Sequence, residues 1–130
     1  MNMKTGNKLS EKFYDVLQHE GVVAIMTSGI EPHLVNTWNS YIVVTDDERL
    51  LIPAYAFRKT GKNLEVNNHI TLSIASKNVL GYKNNPGTGF IVKGTAGFIE
   101  SGAEFDMMKE KFSFLNRVLE VTVTQAKQML

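Results

Sequence analysis

Residues Leu50 to Leu64 read LLIPAYAFRKTGKNL, and their reading decides the fold. An apolar run of strand character, Leu50 to Ala56, gives way abruptly to a loop that gathers Arg58, Lys59 and Lys62 beside Thr60, Gly61 and Asn63. Pro53 removes a donor from the strand and predicts an edge or a bulge there. The stretch from Thr60 to Asn68 predicts one or two helical turns, with Thr60 as a possible N-cap. Clustered cations, a hydroxyl, a flexible glycine and a helix N-terminus together offer what a phosphate dianion needs. A solvated surface turn would use the same residues, so the loop alone leaves both readings open.

The preceding strand shifts the balance. His33 to Val44, HLVNTWNSYIVV, gathers Asn36, Thr37, Asn39 and Ser40 around Trp38, the single tryptophan. Asparagine is depleted in strands, and polar groups at consecutive positions point to both faces of a sheet, so a simple core-and-solvent alternation does not account for the segment. Amides and hydroxyls beside a large flat aromatic suit a planar ligand with hydrogen-bonding edges. An edge strand with water on its polar face is the competing reading.

Outward from these two segments the pattern is mainly β. Ser10 is a plausible N-cap for a helix carrying Phe13, Val16 and Leu17 on one face, and Gly21 suits its stop. Val22 to Ser28, His33 to Val44 and Leu50 to Ala56 read as a meander, with a turn at Gly29 to Pro32 and another at Thr45 to Arg49. Ile70 to Ser76 alternates Ile70, Leu72 and Ile74 against Thr71, Ser73 and Ala75, as a half-buried strand does. Gly81 to Gly89 is a turn-rich loop. Phe90 to Glu100 is a strand whose Gly94 and Gly97 predict a bulge or a close backbone approach. Ser101 and Glu104 fit a capping box, after which Phe105, Met108, Phe112 and Leu115 recur at helical spacing as core packing. The last strand is Leu119 to Thr124. The expected fold is therefore a single domain over residues 1–130: a six-stranded antiparallel barrel, closed or partly closed, of α+β type with flanking short helices.

Composition narrows the chemistry. With 130 residues the chain can bury one core, and with no cysteine it has no disulfide, thiolate metal site or thiol nucleophile. A net charge of +1 gives no global pull toward nucleic acid. No run approaches the ~20 apolar residues of a spanning helix, so a soluble, cytoplasmic protein is expected, without membrane attachment. His19, His33 and His69 lack ligand spacing, and no metal site is expected. Gly87, Thr88 and Gly89 lead into a strand rather than a helix, so the Rossmann fingerprint fails. No nucleophile elbow is present, and no catalytic side chain can be named. A cofactor that supplies its own chemistry is the economical expectation.

The residues resemble the FMN-binding split-barrel family related to pyridoxamine 5'-phosphate oxidase, in particular its short single-domain branch. The likeness rests on EGVVAI at Glu20 to Ile25, PHLVNTWNSY at Pro32 to Tyr41, Lys59 and Thr60 followed by Asn63, PGTGF at Pro86 to Phe90, and LEVTV in the closing strand. It runs over nearly the whole chain. The resemblance implies a homodimer of six-stranded split barrels, each with one non-covalent FMN in a groove near the dimer interface. By the same likeness Lys59 and Thr60 hold the phosphate, Asn36, Thr37 and Trp38 lie along the ribityl chain and ring, and Tyr41 lies close by. Lys62 and Asn63 are further candidates, Arg58 stands near the motif, and Met129 and Leu130 approach a flavin from the partner subunit. The chain departs from the larger oxidases in lacking their C-terminal arginine and histidine segment, which leaves pyridoxamine oxidation unsupported. The implied function is a redox or electron-transfer flavoprotein with a protein partner. The alternatives are a nicotinamide-linked oxidoreductase acting on a small molecule, or a binder of haem or another flat ligand.

Overall fold

The structure is a computed structural model that describes residues 9–130. Helix α1, Glu11–Leu17, starts where Ser10 predicts: the Ser10 side chain accepts from the Phe13 amide. Its buried face carries Phe13 and Val16. The helix stops at Gln18, before Gly21, whose glycine has a different cause: a Cβ there would stand 2.1 Å from the carbonyl oxygen of Ala75.

Seven strands follow, not six: β1 Val22–Thr27, β2 His33–Trp38, β3 Val43–Val44, β4 Arg49–Ala54, β5 His69–Leu80, β6 Pro86–Ile99 and β7 Arg117–Gln128. They form one antiparallel sheet in the order β2-β1-β5-β6-β7-β4-β3, curled into a half-barrel. The expected long strand from His33 to Val44 is broken by a 3-10 turn at Asn39–Tyr41. Asn39 is the cause. Its buried side-chain amide donates to the carbonyls of His19 at 2.8 Å and Ala75 at 2.9 Å, and more weakly to Val16 at 3.3 Å, which pulls the backbone out of the ladder. The two halves become the two ends of the sheet, so the expected meander is interrupted: β1 pairs with β2 and β3 with β4, while β4 crosses to β7.

Inside the curl, Ile25, Leu50, Ile52, Leu72, Ile74, Val92, Leu119 and Val121 are fully buried, each worth roughly 1.5–3 kcal/mol. Phe13 meets Phe90 edge-on at 5.3 Å, so α1 closes this core. The predicted glycine irregularity appears at Gly94, where the β6–β7 register shifts and a Cβ would lie 2.0 Å from the Thr122 carbonyl oxygen. Pro53 pairs with Val118 in β4, and β3 reaches only Leu50 and Leu51, so one side of the strand is a local edge at the proline.

Helix α3, Ala103–Lys111, packs Met108 with Leu51, Leu115 and Val118 on the other face of β4 and β7. The expected aromatic and aliphatic stripe is packing, although Phe112 and Leu115 reach it from beyond the helix end. The expected capping box fails: Gly102 is the N-cap, and no side chain caps the turn. Glu104 instead receives both Arg49 amino groups, at 2.9 and 2.6 Å, and a two-pronged charged pair outcompetes one capping bond. Helix α2, Arg58–Val66, likewise starts earlier than expected, with Phe57 at the N-cap position and Thr60 inside the helix.

Candidate functional site

The quoted stretch delivers its side chains to two clefts that flank β2. The first, of about 140 Å³, is lined by Asn36, Thr37, Trp38, Tyr41, Pro53, Tyr55, Phe57 and Phe114. As an end strand β2 lets a cleft meet side chains from both faces, so consecutive Asn36, Thr37 and Trp38 all line it. β2 is thus an edge strand, as the competing reading of that segment expected, and its polar residues line a cleft. Thr37 is buried, whereas Trp38 is 46% exposed and Tyr55 67% exposed, a wide aromatic surface left open to a flat partner. Tyr41 is fixed from behind by Phe112 and Phe114, with ring centroids 5.3 and 5.6 Å away.

The second cleft, of about 310 Å³, is lined by Ile30, Glu31, His33, Lys59, Lys62 and Asn63. Asn63 builds its wall. Its Oδ1 accepts from the Ile30 amide at 2.7 Å and the Glu31 amide at 3.3 Å, while Nδ2 donates to Thr27 Oγ1 at 3.0 Å and the Glu31 carbonyl at 2.8 Å. With every amide position used, Asn63 clamps the β1–β2 turn to α2 rather than offering free donors. Gly29 permits the clamp, since a Cβ there would meet the Asn63 carbonyl oxygen at 2.0 Å.

Lys59 and Lys62 stand exposed beside this cleft and, among the described residues, make no ion pair. Arg58 is exposed at the first turn of α2 and lines neither cleft. Thr60 is buried, and its Oγ1 has no hydrogen-bond partner. Among the described residues it shares that state with Asn39 Oδ1. Leu130 lines neither cleft of its own chain: its carbonyl oxygen accepts from the Tyr82 amide at 2.9 Å and Thr88 Oγ1 at 3.2 Å. Its side chain remains 64% exposed.

Sequence reasoning missed several lining residues. Tyr55 and Phe57 lie inside the quoted stretch, where alternation with Ala54 and Ala56 was the available signal. Phe114 reaches the cleft only through the return of the chain after α3, and nothing local announces it. Among the described residues no group of three metal-binding side chains is gathered, and no helix is long and apolar enough to cross a membrane.

A curled antiparallel half-barrel with an aromatic cleft and a cationic cleft on one end strand defines a split-barrel protein. The pyridoxamine 5'-phosphate oxidase family profile matches residues 9–130, and the chain belongs to that family. It is similar to the FMN-binding protein of Nitratidesulfovibrio vulgaris (strain DSM 19637 / Miyazaki F), with 42% identity over 119 residues, 91% of this chain and 96% of that one. HupZ of Group A Streptococcus shares the fold at a TM-score of 0.75 and 16% identity, over 93% of this chain and 94% of that one. An FMN-binding protein from Syntrophomonas wolfei does so at a TM-score of 0.63 and 14% identity, over 83% and 76% of the two chains. Identities this low speak for the fold alone.

Proposed function

We propose that the protein is a redox flavoprotein that holds one FMN per subunit, non-covalently, and passes electrons to a partner. The observation that carries this reading is the pair of clefts along β2, one aromatic and one lined by Lys59 and Lys62, with the unpartnered Thr60 hydroxyl buried between those two lysines in α2. An elongated ligand with a planar ring at one end and a dianion at the other matches that division. The 42% identity to an FMN-binding protein supports the same ligand.

Bound FMN would supply the electron chemistry itself. The chain's residues bind and orient it. Lys59 and Thr60, with Lys62 and Arg58 adding positive potential, would hold the phosphate at the start of α2. Trp38 and Tyr41 would pack on the ring, and Asn36 and Thr37 would hydrogen-bond the polar chain between. With no cysteine in the sequence there is no thioether attachment. The reading includes a homodimer. On the outer face of β1–β2, Val22 pairs with Trp38 and Met26 with Leu34, all four 45–63% exposed, a patch that a second copy would cover. The same arrangement would bring the partner's exposed C-terminal side chains to the flavin.

The test is titration of the apoprotein with FMN and riboflavin. FMN should bind more tightly, since each charge-assisted phosphate bond is worth roughly 1.5–3 kcal/mol. Acid should release all of the flavin, and equal affinities for the two flavins would overturn the phosphate assignment. Light scattering should give a dimer, whereas a 14.5 kDa species that still carries FMN would refute that part. Steady NAD(P)H oxidation would turn the reading toward an enzyme with a nicotinamide reductant.

A further inference from the structure

Two consecutive non-glycine residues, Ala56 at φ 69° and Phe57 at φ 42°, stand in the left-handed region immediately before α2. Side chains crowd the backbone in that conformation, so such residues persist only where neighbours hold them. Two ties are local: the Phe57 amide donates to the Tyr55 carbonyl at 3.0 Å, and the Gly61 amide to the Phe57 carbonyl at 2.9 Å. The third comes from a distant strand. Arg117, the first residue of β7, donates from Nη2 to the Ala56 carbonyl at 2.8 Å. Its guanidinium lies 3.8 Å from the centroid of the Phe98 ring. Both groups press on α2, lying 3.4–3.6 Å from where a Cβ on Gly61 would stand.

The bend also bears on the orphan hydroxyl. A threonine within a helix commonly turns its hydroxyl to the carbonyl four residues back, and for Thr60 that carbonyl is Ala56. Ala56 and Phe57 are left-handed, so that carbonyl stands outside the helix and is turned to Arg117, and Thr60 Oγ1 is left unpartnered. We infer that Arg117 is a positioning residue for the phosphate end of the site. It fixes the Ala56–Phe57 bend, which turns the Ala56 carbonyl away from Thr60, and so keeps that hydroxyl and the first amides of α2 free for a ligand oxygen. This inference rests on the FMN reading above.

The test uses the full-length apoprotein, titrated with FMN and riboflavin, as wild type, Arg117→Met, Arg117→Lys, Thr60→Ala and the Arg117→Met/Thr60→Ala double variant. Arg117→Met should weaken FMN about tenfold more than riboflavin, by loss of one oriented contact. Arg117→Lys keeps the charge but loses the planar fork, and should lie nearer to Arg117→Met than to wild type. It also decides the case alone if Arg117→Met does not fold. Because Arg117 acts through Thr60, the double variant should bind FMN no more weakly than the weaker single variant. Equal losses for both flavins, or losses that multiply in the double variant, would overturn the inference. If Lys59→Ala discriminates FMN from riboflavin while the Arg117 variants do not, the FMN reading stands and only Arg117 falls. If wild type does not prefer FMN, both fall together.

Discussion

Arg49 and the start of α2 gather charge on opposite plans. Around Arg49 each group has a partner: Glu104 takes both amino groups, Asp47 lies 3.1 Å from Nε, and Glu120 takes a further bond from Nη1. The pairing ties β4 to α3 and β7. It lifts the Arg49 pKa still higher, chiefly through Glu104, and holds the Glu104 carboxyl below its usual range. At α2 the cations Arg58, Lys59 and Lys62 gather without an ion pair among the described residues, above a buried hydroxyl that has no partner and beside two left-handed residues. The first cluster is consumed in holding the fold. The second leaves its cations without an ion pair among the described residues, behind a left-handed bend of a kind also found at Glu48, Lys83 and Asn84.

The largest expected effect tests the consumed side. Arg49→Met leaves Glu104 and Glu120 without their cation, and should cost roughly 2–3 kcal/mol, less than a fully buried pair because the arginine side chain is 23% exposed. Urea unfolding measures the loss, and the FMN-to-riboflavin affinity ratio should not move. The pH dependence has a definite sign. Glu104 has a lowered folded pKa, so its contribution is present above its ordinary value of 4.5 and is lost as pH falls through the lowered one. Arg49→Met should flatten that acid limb. A cost under about 0.5 kcal/mol would make the cluster an idle surface network and collapse the comparison.

Lys59→Ala tests the other side and should give the converse result. FMN should weaken roughly ten- to a hundredfold, the loss of one charge-assisted contact, while riboflavin scarcely changes. Stability should stay within about 0.5 kcal/mol of wild type, since the residue is exposed and makes no ion pair among the described residues. A variant that binds both flavins equally poorly would show Lys59 to be structural, and would move the phosphate away from α2.

The sequence makes the alternation of β5, the Gly94 bulge and the cation cluster legible, because each is local: a two-residue period, a missing side chain, a run of like charges. What escapes it depends on distant partners. The break at Asn39 needs the carbonyls of His19 and Ala75, which only the folded chain brings to one amide. Glu104 leaves its capping position for Arg49, far away in sequence. Thr60 is read as a cap because nothing in Ala56 or Phe57 announces left-handed backbone, which ordinarily calls for glycine or asparagine. The candidate cleft is incompletely legible in its lining, since Phe114 arrives from the far end of the chain.

The smallest expected effect sharpens the comparison by testing one hydrogen bond from a neutral hydroxyl to a carboxylate on the consumed side. Tyr14 on α1 donates its hydroxyl to Glu48 Oε2 at 2.8 Å, which joins the helix to the turn before β4. Burial, then the hydrogen bond and charge of Glu48, push the Tyr14 pKa from 10.0 up to about 12. A raised pKa in an acid means that folding favours its neutral form. The contribution is therefore complete below pH 10 and disappears as pH rises from 10 through about 12. Tyr14→Phe removes one partly buried bond and should cost roughly 0.5–1.5 kcal/mol at neutral pH. Above pH 10 the gap between variant and wild type should narrow, because wild type is losing what the variant never had. Denaturant midpoints at pH 7, 10 and 11.5 would follow this. A gap that stays constant across that range would show that the hydroxyl is not coupled to Glu48, and that α1 is held by Phe13 and Val16 alone.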